Sequence, residues 1–139
     1  MVVQKSISFR TTGRGSQEIT HDINQLIAES GIRQGICNLF VLHTSASLML
    51  CENADPDVRR DLETIMRRLA PDGDPAYIHT TEGSDDMAAH ARTVLTDSSL
   101  NLPVRQGRCI LGTWQGIYLW EHRAHPQQRK LMVTIYGEE

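Results

Sequence analysis

Three histidines lie at the ends of predicted elements: His43, His79 and His90. Histidine is the commonest metal ligand and titrates near neutral pH, so it also serves as a general acid or base. Three imidazoles that leave a fourth position open suit catalytic zinc or a related divalent ion. The three are far apart in the sequence, and spacing alone does not show that they meet. The alternative is a separate hydrogen bond for each histidine where its strand or helix ends.

Acidic residues at two predicted helix starts form the second set of candidates. Glu52 and Asn53 precede a helix start at Asp55, and both offer oxygen atoms to a hard cation or a substrate hydroxyl. Asp85 and Asp86 open a later helix, and Mg²⁺ bound with a diphosphate needs only one or two such carboxylates. Helix capping and complementation of the helix dipole are the alternative for all the aspartates.

Two serines follow His43 in an extended stretch. Ser45 and Ser47 alternate with Ala46, so their hydroxyls are predicted to face the same side of a strand, and His43 shares that side if the strand continues. A serine nucleophile needs a base and an orienting acid, and no G-x-S-x-G turn is present. We therefore expect these hydroxyls to bind an anion or a ligand.

A third group of candidates lies near the end of the chain. Trp114 and Gln115 are flanked by glycines, which permit close approach of a ligand. The indole offers a flat face to a heteroaromatic ring, and the amide can pair with its edge; a core tryptophan is the alternative. Glu121 is a candidate acid or base, and Arg129 a cation that neutralises it or holds a phosphate. No P-loop or G-x-G-x-x-G phosphate loop is present.

The elements that must position these residues are read from hydrophobic periodicity. Helices are predicted to begin at Thr20, Asp55 and Ser84 or Asp85, and Gly31 is predicted to end the first. Strands are predicted over residues 3–9, 36–42, 47–51, 77–80, 108–111, 115–121 and 130–136. The order lacks the regular alternation of a doubly wound parallel sheet. It indicates one α+β domain over residues 1–139, with a mixed or largely antiparallel sheet and about three helices packed to one side.

Two of these elements carry a burial prediction. The strand at 36–42 is nearly all apolar, which predicts burial on both faces. In the third helix an apolar face is predicted, made of Met87, Ala91, Val94 and Leu95. A sheet with an uncovered apolar face needs a neighbouring subunit, so we expect an oligomer.

Bulk properties exclude several classes of protein. The net charge is −3 over 139 residues, whereas a general nucleic-acid binder is usually basic. The start of the chain does not resemble a signal peptide, and no apolar run approaches the ~20 residues of a membrane span. Cys37, Cys51 and Cys109 form no C-x-x-C pair and indicate reduced thiols. We therefore expect a soluble cytoplasmic protein that binds neither nucleic acid nor membrane.

Several short motifs occur together and in order, and through them the sequence resembles the YjbQ-like family, often labelled secondary thiamine-phosphate synthase. The resemblance covers nearly the whole chain and implies a compact α+β domain that assembles as a homotrimer. It also implies that His43, His79 and His90 match the recurrent histidines of the family, with Glu121, Trp114 and Gln115 beside them, in a site that binds a divalent metal (Zn or Mg/Mn). The motifs are His43–Ser47, Glu52–Pro56, Gly83–His90, Leu102–Gly107 and Leu111–Glu121.

The activity attached to the family joins a hydroxymethylpyrimidine diphosphate to a thiazole phosphate and releases pyrophosphate. This reaction needs Mg²⁺ or cationic groups for the departing pyrophosphate. In that interpretation Trp114 stacks on the pyrimidine, Gln115 pairs with its edge and Arg129 holds a phosphate. The metal is carried by Glu52, Asp85 or Glu121.

Two other functions remain open. One is a Zn- or Mn-dependent hydrolase of a small phosphorylated or ester substrate, with the three histidines as ligands and Glu121 or Glu52 as the base. The other is a non-enzymatic homotrimer that binds a small anionic metabolite. This sequence also departs from many relatives at His122-Arg123 and Asp86-Met87, which leaves the substrate open.

Overall fold

The computed structural model describes all 139 residues, Met1–Glu139, and confirms the predicted α+β fold. It contains eight strands and three helices. In chain order they are β1 (Val2–Arg10), β2 (Gly15–Glu18), α1 (Thr20–Ser30), β3 (Gln34–Val41), β4 (Ala46–Glu52), α2 (Pro56–Leu69), α3 (Asp86–Leu95), β5 (Ser99–Arg105), β6 (Arg108–Cys109), β7 (Gln115–Glu121) and β8 (Gln128–Glu138).

The strands form two sheets, and every pair of neighbouring strands is antiparallel. The larger sheet has the order β1-β8-β3-β5-β6 and the smaller one β2-β7-β4. Sequence patterning missed β2, which has no apolar residue, and β5, where Pro103 interrupts the strand pattern. The strand predicted at 77–80 is a loop, and its Ile78 side chain is 97% exposed.

The smaller sheet has apolar residues on both faces. One face joins the main core through Leu48 and Leu119, together with Ile23 of α1 and strands of the larger sheet. The other face packs Met49, Tyr118 and Trp120 against Met66 of α2. β4 and β7 are thus held from both sides, which fixes the residues at their ends.

Two burial predictions were wrong. In β3 the side chains alternate: Cys37 and Leu39 are buried, while Phe40 is 46% exposed, so only one face of this strand is covered. In α3 the buried residues include Ala88, Ala89, Arg92 and Thr93. The helix packs through its small residues, and the predicted apolar face leaves Val94 84% exposed.

The helix boundaries follow local chemistry. Asp55 accepts a hydrogen bond from the Asp57 amide in front of α2, and Pro56 occupies the first turn. Gly31 ends α1 with a φ of 79°, a left-handed conformation that favours glycine. No helix combines the length and the apolar character that crossing a membrane requires.

Candidate functional site

The ladder between β4 and β7 separates the predicted site residues into two groups. It runs from the pair Ala46 and Glu121 to the pair Glu52 and Gln115. Six residue steps of a strand span about 20 Å. The histidines and the indole were expected to lie side by side, but within one chain they belong to opposite ends of this ladder.

At the Glu121 end, His79, Asp86 and His90 bring their ligand atoms within 4.8 Å of one another. The Oδ2 atom of Asp86 lies 2.7 Å from Nε2 of His79 and 3.1 Å from Nε2 of His90. Asp86 and His90 are four residues apart on one face of α3, and His79 comes from the loop before that helix. The aspartate side chain is 6% exposed, whereas those of His79 and His90 are 43% and 32% exposed.

The hydrogen-bond partners of His90 restrict what can lie between its ring and Asp86. Nδ1 of His90 lies 3.1 Å from the backbone oxygen of Thr44. A carbonyl oxygen only accepts, so Nδ1 donates this hydrogen bond. A neutral His90 would then present the lone pair of Nε2 to a carboxylate oxygen of Asp86. Two acceptors in contact require a proton or a metal ion between them, and metal-binding histidines commonly donate their other ring N–H to a carbonyl.

Arg123 holds the carboxylate of Asp86 in this orientation. Its Nη1 lies 3.0 Å from Oδ1 of Asp86, so Oδ2 alone faces the imidazoles. Burial by itself raises the pKa of Asp86, but the hydrogen bond with His79 and the charges of His90 and Arg123 lower it overall. The carboxylate is therefore ionised and suited to a cation.

Asp85, an expected substrate-binding residue, is engaged by the protein. Its Oδ2 accepts hydrogen bonds of 2.9 Å from Nε of Arg123 and from the Ala124 amide. Burial raises the pKa of Asp85, but these two hydrogen bonds outweigh it and lower the value to about 2. Asp85 thus anchors Arg123, which in turn orients Asp86.

His43 lies outside the group of ligand atoms. Its Nε2 accepts a hydrogen bond of 2.8 Å from the Lys130 amide, so one of its two ring nitrogens is occupied. Burial and the nearby charge of Arg129 lower the pKa of His43. The structure thus brings together two of the three histidines and supplies Asp86 as the third ligand atom.

Glu121 forms a buried ion pair with Arg129 and has no free acceptor position. Its carboxylate receives four hydrogen bonds: from the Thr11 hydroxyl, from the Arg123 amide and from two guanidinium nitrogens of Arg129. These fill the roughly four lone-pair positions of a carboxylate. Glu121 and Arg129 are 1% and 4% exposed. Glu121 was expected to act as a base and Arg129 to hold a phosphate. This geometry gives both residues a structural role.

The two serines also bind protein groups. The Ser45 hydroxyl accepts a hydrogen bond of 2.9 Å from Arg129. The Ser47 hydroxyl lies 2.8 Å from Nε2 of His122, and both residues are 0% exposed. Burial, with the charges of Arg92 and Arg14, lowers the pKa of His122 to about 3. Ser47 and His122 therefore form a neutral pair without solvent access.

The other end of the ladder is open to solvent. Trp114 is 62% exposed, and its backbone oxygen accepts a hydrogen bond of 3.0 Å from the Asn53 amide. Gln115 accepts one of 2.8 Å from the Gly112 amide through Oε1. Glu52 accepts one of 3.2 Å from the Asp55 amide, which places it at the start of α2 and far from the histidines. Substrate binding by Asn53, Trp114 and Gln115 stays a prediction.

Sequence reasoning noticed Asp86 but did not assign it to the histidine site. The signal was available, because Asp86 and His90 have the i, i+4 spacing that places two ligands on one helical face. No sequence spacing indicated that Thr44 contacts His90 or that Arg123 orients Asp86. The first acts through its backbone oxygen, and the second reaches its partners from a distant part of the sequence.

Comparison with known proteins gives a family match over nearly the whole chain. The family model described as "UPF0047 protein YjbQ-like" matches residues 5–138. The UPF0047 protein YjbQ of Salmonella typhimurium is 46% identical over 139 residues, which cover 99% of this chain and 100% of that protein. The UPF0047 protein sll1880 of Synechocystis is 45% identical over 135 residues, with 97% and 92% covered.

Two solved structures have folds similar to that of this chain. A protein of the yjbq/upf0047 family from Clostridium acetobutylicum superimposes with a TM-score of 0.86 at 34% identity, covering 95% of this chain and 99% of that one. A conserved hypothetical protein from Thermus thermophilus gives a TM-score of 0.86 at 32% identity, with the same coverage.

Proposed function

We propose, from the premise that this chain belongs to the YjbQ-like UPF0047 family, that the protein is a divalent-metal-dependent enzyme acting on a small molecule. The proposed ligands are Nε2 of His79, Nε2 of His90 and Oδ2 of Asp86. The observation that carries the proposal is the His90 ring, which donates through Nδ1 to Thr44 and meets the Asp86 carboxylate through Nε2.

The donor set favours zinc or manganese over magnesium. Two imidazoles and one carboxylate are ligands for transition metals, whereas Mg²⁺ prefers an all-oxygen octahedron. A divalent cation held by these three protein atoms would keep coordination positions open and would supply a Lewis acid to a substrate oxygen or to water. Hydrolysis of a small substrate is the reaction that this geometry supports best. Glu121 has no free acceptor position, and Glu52 lies at the other end of the β4–β7 ladder. The residues proposed to act are therefore the three ligands.

Metal titration tests the site. We expect purified, metal-free protein to bind one equivalent of Zn²⁺ per chain in calorimetry, and Asp86→Asn and His90→Gln to bind at least about 100-fold more weakly. His21→Gln is the matched control, because His21 is exposed and outside the cluster. Equal Zn²⁺ affinity in all four proteins would overturn the proposal.

A substrate screen tests the reaction. Zn²⁺- or Mn²⁺-loaded protein is expected to hydrolyse at least one compound in a panel of small phosphate and carboxylate esters, and chelation should abolish the activity. Metal binding without turnover of any ester or of the synthase substrates would favour the non-enzymatic metabolite-binding protein.

Thiamine-phosphate synthesis is a second candidate, favoured by the exposed indole beside an amide. Trp114 presents a free aromatic face next to Gln115, and such a face suits a pyrimidine ring. The indole and the metal ligands lie at opposite ends of a ladder about 20 Å long. Both would contact one substrate only if two copies combine their ends, as in the homotrimer that the family resemblance implies.

Mixing variants tests this second candidate. Trp114→Ala and His90→Gln are each expected to make no thiamine phosphate alone, and refolding them together should restore part of the wild-type rate. Wild-type protein loaded with Zn²⁺, Mn²⁺ or Mg²⁺ that makes no thiamine phosphate at any substrate concentration would exclude the synthase.

A further inference from the structure

A cavity of about 320 Å³ opens beside His79, large enough for a small metabolite. It lies between the loop that follows α2 and the start of α3. Of its lining, the metal proposal uses only His79. Its lining is Gly73, Asp74, Pro75, Tyr77, His79, Thr80, Gly83, Ser84 and Met87.

Hydrogen bonds within the loop hold the cavity wall. The Gly73 amide donates to the Ser84 backbone oxygen at 2.9 Å and so closes the base of the loop. The Tyr77 hydroxyl donates to the Pro71 backbone oxygen at 3.0 Å. The ion pair between Arg14 and Asp72 connects this loop to the segment between β1 and β2. The cavity is therefore formed before any ligand binds.

The charge around this cavity is negative. No lysine or arginine occurs between Arg68 and Arg92, and the segment carries five carboxylates: Asp72, Asp74, Glu82, Asp85 and Asp86. Asp72 pairs with Arg14, and Arg123 pairs with Asp85 and Asp86. Of the two carboxylates without an ion pair, Asp74 and Glu82, only Asp74 lines the cavity. Its Oδ1 accepts a hydrogen bond from the Ala76 amide at 2.9 Å. Its Oδ2 has no protein partner and is available to a ligand.

The start of α3 does not make this cavity an anion site. A helix N-terminus favours a negative group, but Asp85 and Asp86 already supply two carboxylates there. Two further lining residues, Thr80 and Ser84, have hydroxyls that form no hydrogen bond with the protein. A hydroxyl both donates and accepts, so the polar lining matches amino and hydroxyl groups. It offers a phosphate neither a lysine nor an arginine.

We infer that this cavity holds the amine- and hydroxyl-bearing, unphosphorylated part of the substrate, and that Asp74 selects for the amino group. The inference rests on the proposed metal site, because His79 is both a proposed ligand and part of the cavity lining. The bond to be acted on lies at the His79 side, and the amino group at the Asp74 side. The substrate class is thus a small hydroxylated amine.

Three sugars serve as probes of this selectivity. Binding of glucosamine, glucose and glucosamine 6-phosphate to Zn²⁺-loaded protein is measured by NMR titration at neutral pH. Glucosamine should bind about fivefold more tightly than glucose, and glucosamine 6-phosphate no more tightly than glucosamine. In Asp74→Asn the difference between glucosamine and glucose should disappear. Asp61→Asn, an exposed change on α2, should keep it.

Zn²⁺ titration of the same proteins separates the two proposals. Asp74→Asn should keep wild-type Zn²⁺ affinity, since Asp74 is not among the proposed ligands. Tighter binding of glucosamine 6-phosphate than of glucosamine, or no saturable binding of glucosamine, overturns the cavity assignment while the metal site stands. A wild-type protein that binds no Zn²⁺ overturns the metal site itself.

Discussion

The two ends of the β4–β7 ladder carry similar polar residues but use them differently. At one end Glu121 and Arg129 are buried and satisfy each other. At the other, Glu52 and Trp114 are partly or largely open to water. Just beyond the buried end, the Asp86 carboxylate faces two imidazoles that are partly exposed. Polar residue types therefore do not identify a site by themselves; the partners of each polar atom must be known as well.

The largest expected effect on stability comes from a change at the buried end of the ladder. Glu121→Gln leaves the Arg129 guanidinium buried without its counter-charge, which should lower the free energy of unfolding by about 3–5 kcal/mol. Urea denaturation measures the loss. The matched change at the open end, Glu52→Gln, should stay within about 0.5 kcal/mol of wild type. Similar losses in both variants would remove the distinction between the two ends.

The second prediction concerns stabilisation of the fold by metal binding at the cluster of His79, Asp86 and His90. Zn²⁺ at about 100 times its dissociation constant should raise the free energy of unfolding by about 2.7 kcal/mol, because only the folded chain presents the three ligands. His90→Gln should show no such rise in thermal denaturation, whereas His125→Gln should match wild type. An equal rise in the two variants would mean that the ion binds elsewhere.

Acid stability tests the buried pair of Ser47 and His122. The pKa of His122 is about 3 in the folded protein and 6.5 for an ordinary histidine. Between these values the unfolded chain binds a proton that the folded chain does not, so stability falls as the pH is lowered through this window. We expect a loss of about 2 kcal/mol from about pH 6 to about pH 4.5.

His122→Gln should remove this part of the acid sensitivity, measured by urea denaturation at each pH. His21→Gln, at an exposed histidine, should retain it. The pKa of Asp85 is lowered from 3.8 to about 2, so its contribution is lost only below this window. The same pH slope in wild type and His122→Gln would contradict the assignment.

The smallest effect is expected at the exposed indole. Trp114→Ala removes a side chain that is 62% exposed, so the free energy of unfolding should change by no more than about 0.5 kcal/mol. A loss of several kcal/mol in a thermal melt would show that the indole is covered in solution, as an interface between copies would require.

The sequence predicted the α+β class, the start of α2 at Asp55 and the full extent of β7, because capping residues and apolar runs are local signals. It also predicted two members of the histidine cluster. The buried pair of Glu121 and Arg129 was foreseen only as one option, because composition does not show which carboxylates lose water on folding. The separation of Trp114 from the histidines depends on strand register, which no short motif reports.

The amide of Arg123 donates to Glu121, and its guanidinium group reaches Asp85 and Asp86. One residue is thereby a tether between the most deeply buried ion pair and the carboxylate that faces the imidazoles. Loosening the end of β7 would displace that carboxylate, and an ion held by the imidazoles would in turn restrain the end of β7. Rigidity of the sheet and occupancy of the cluster by an ion would thus be coupled through this tether.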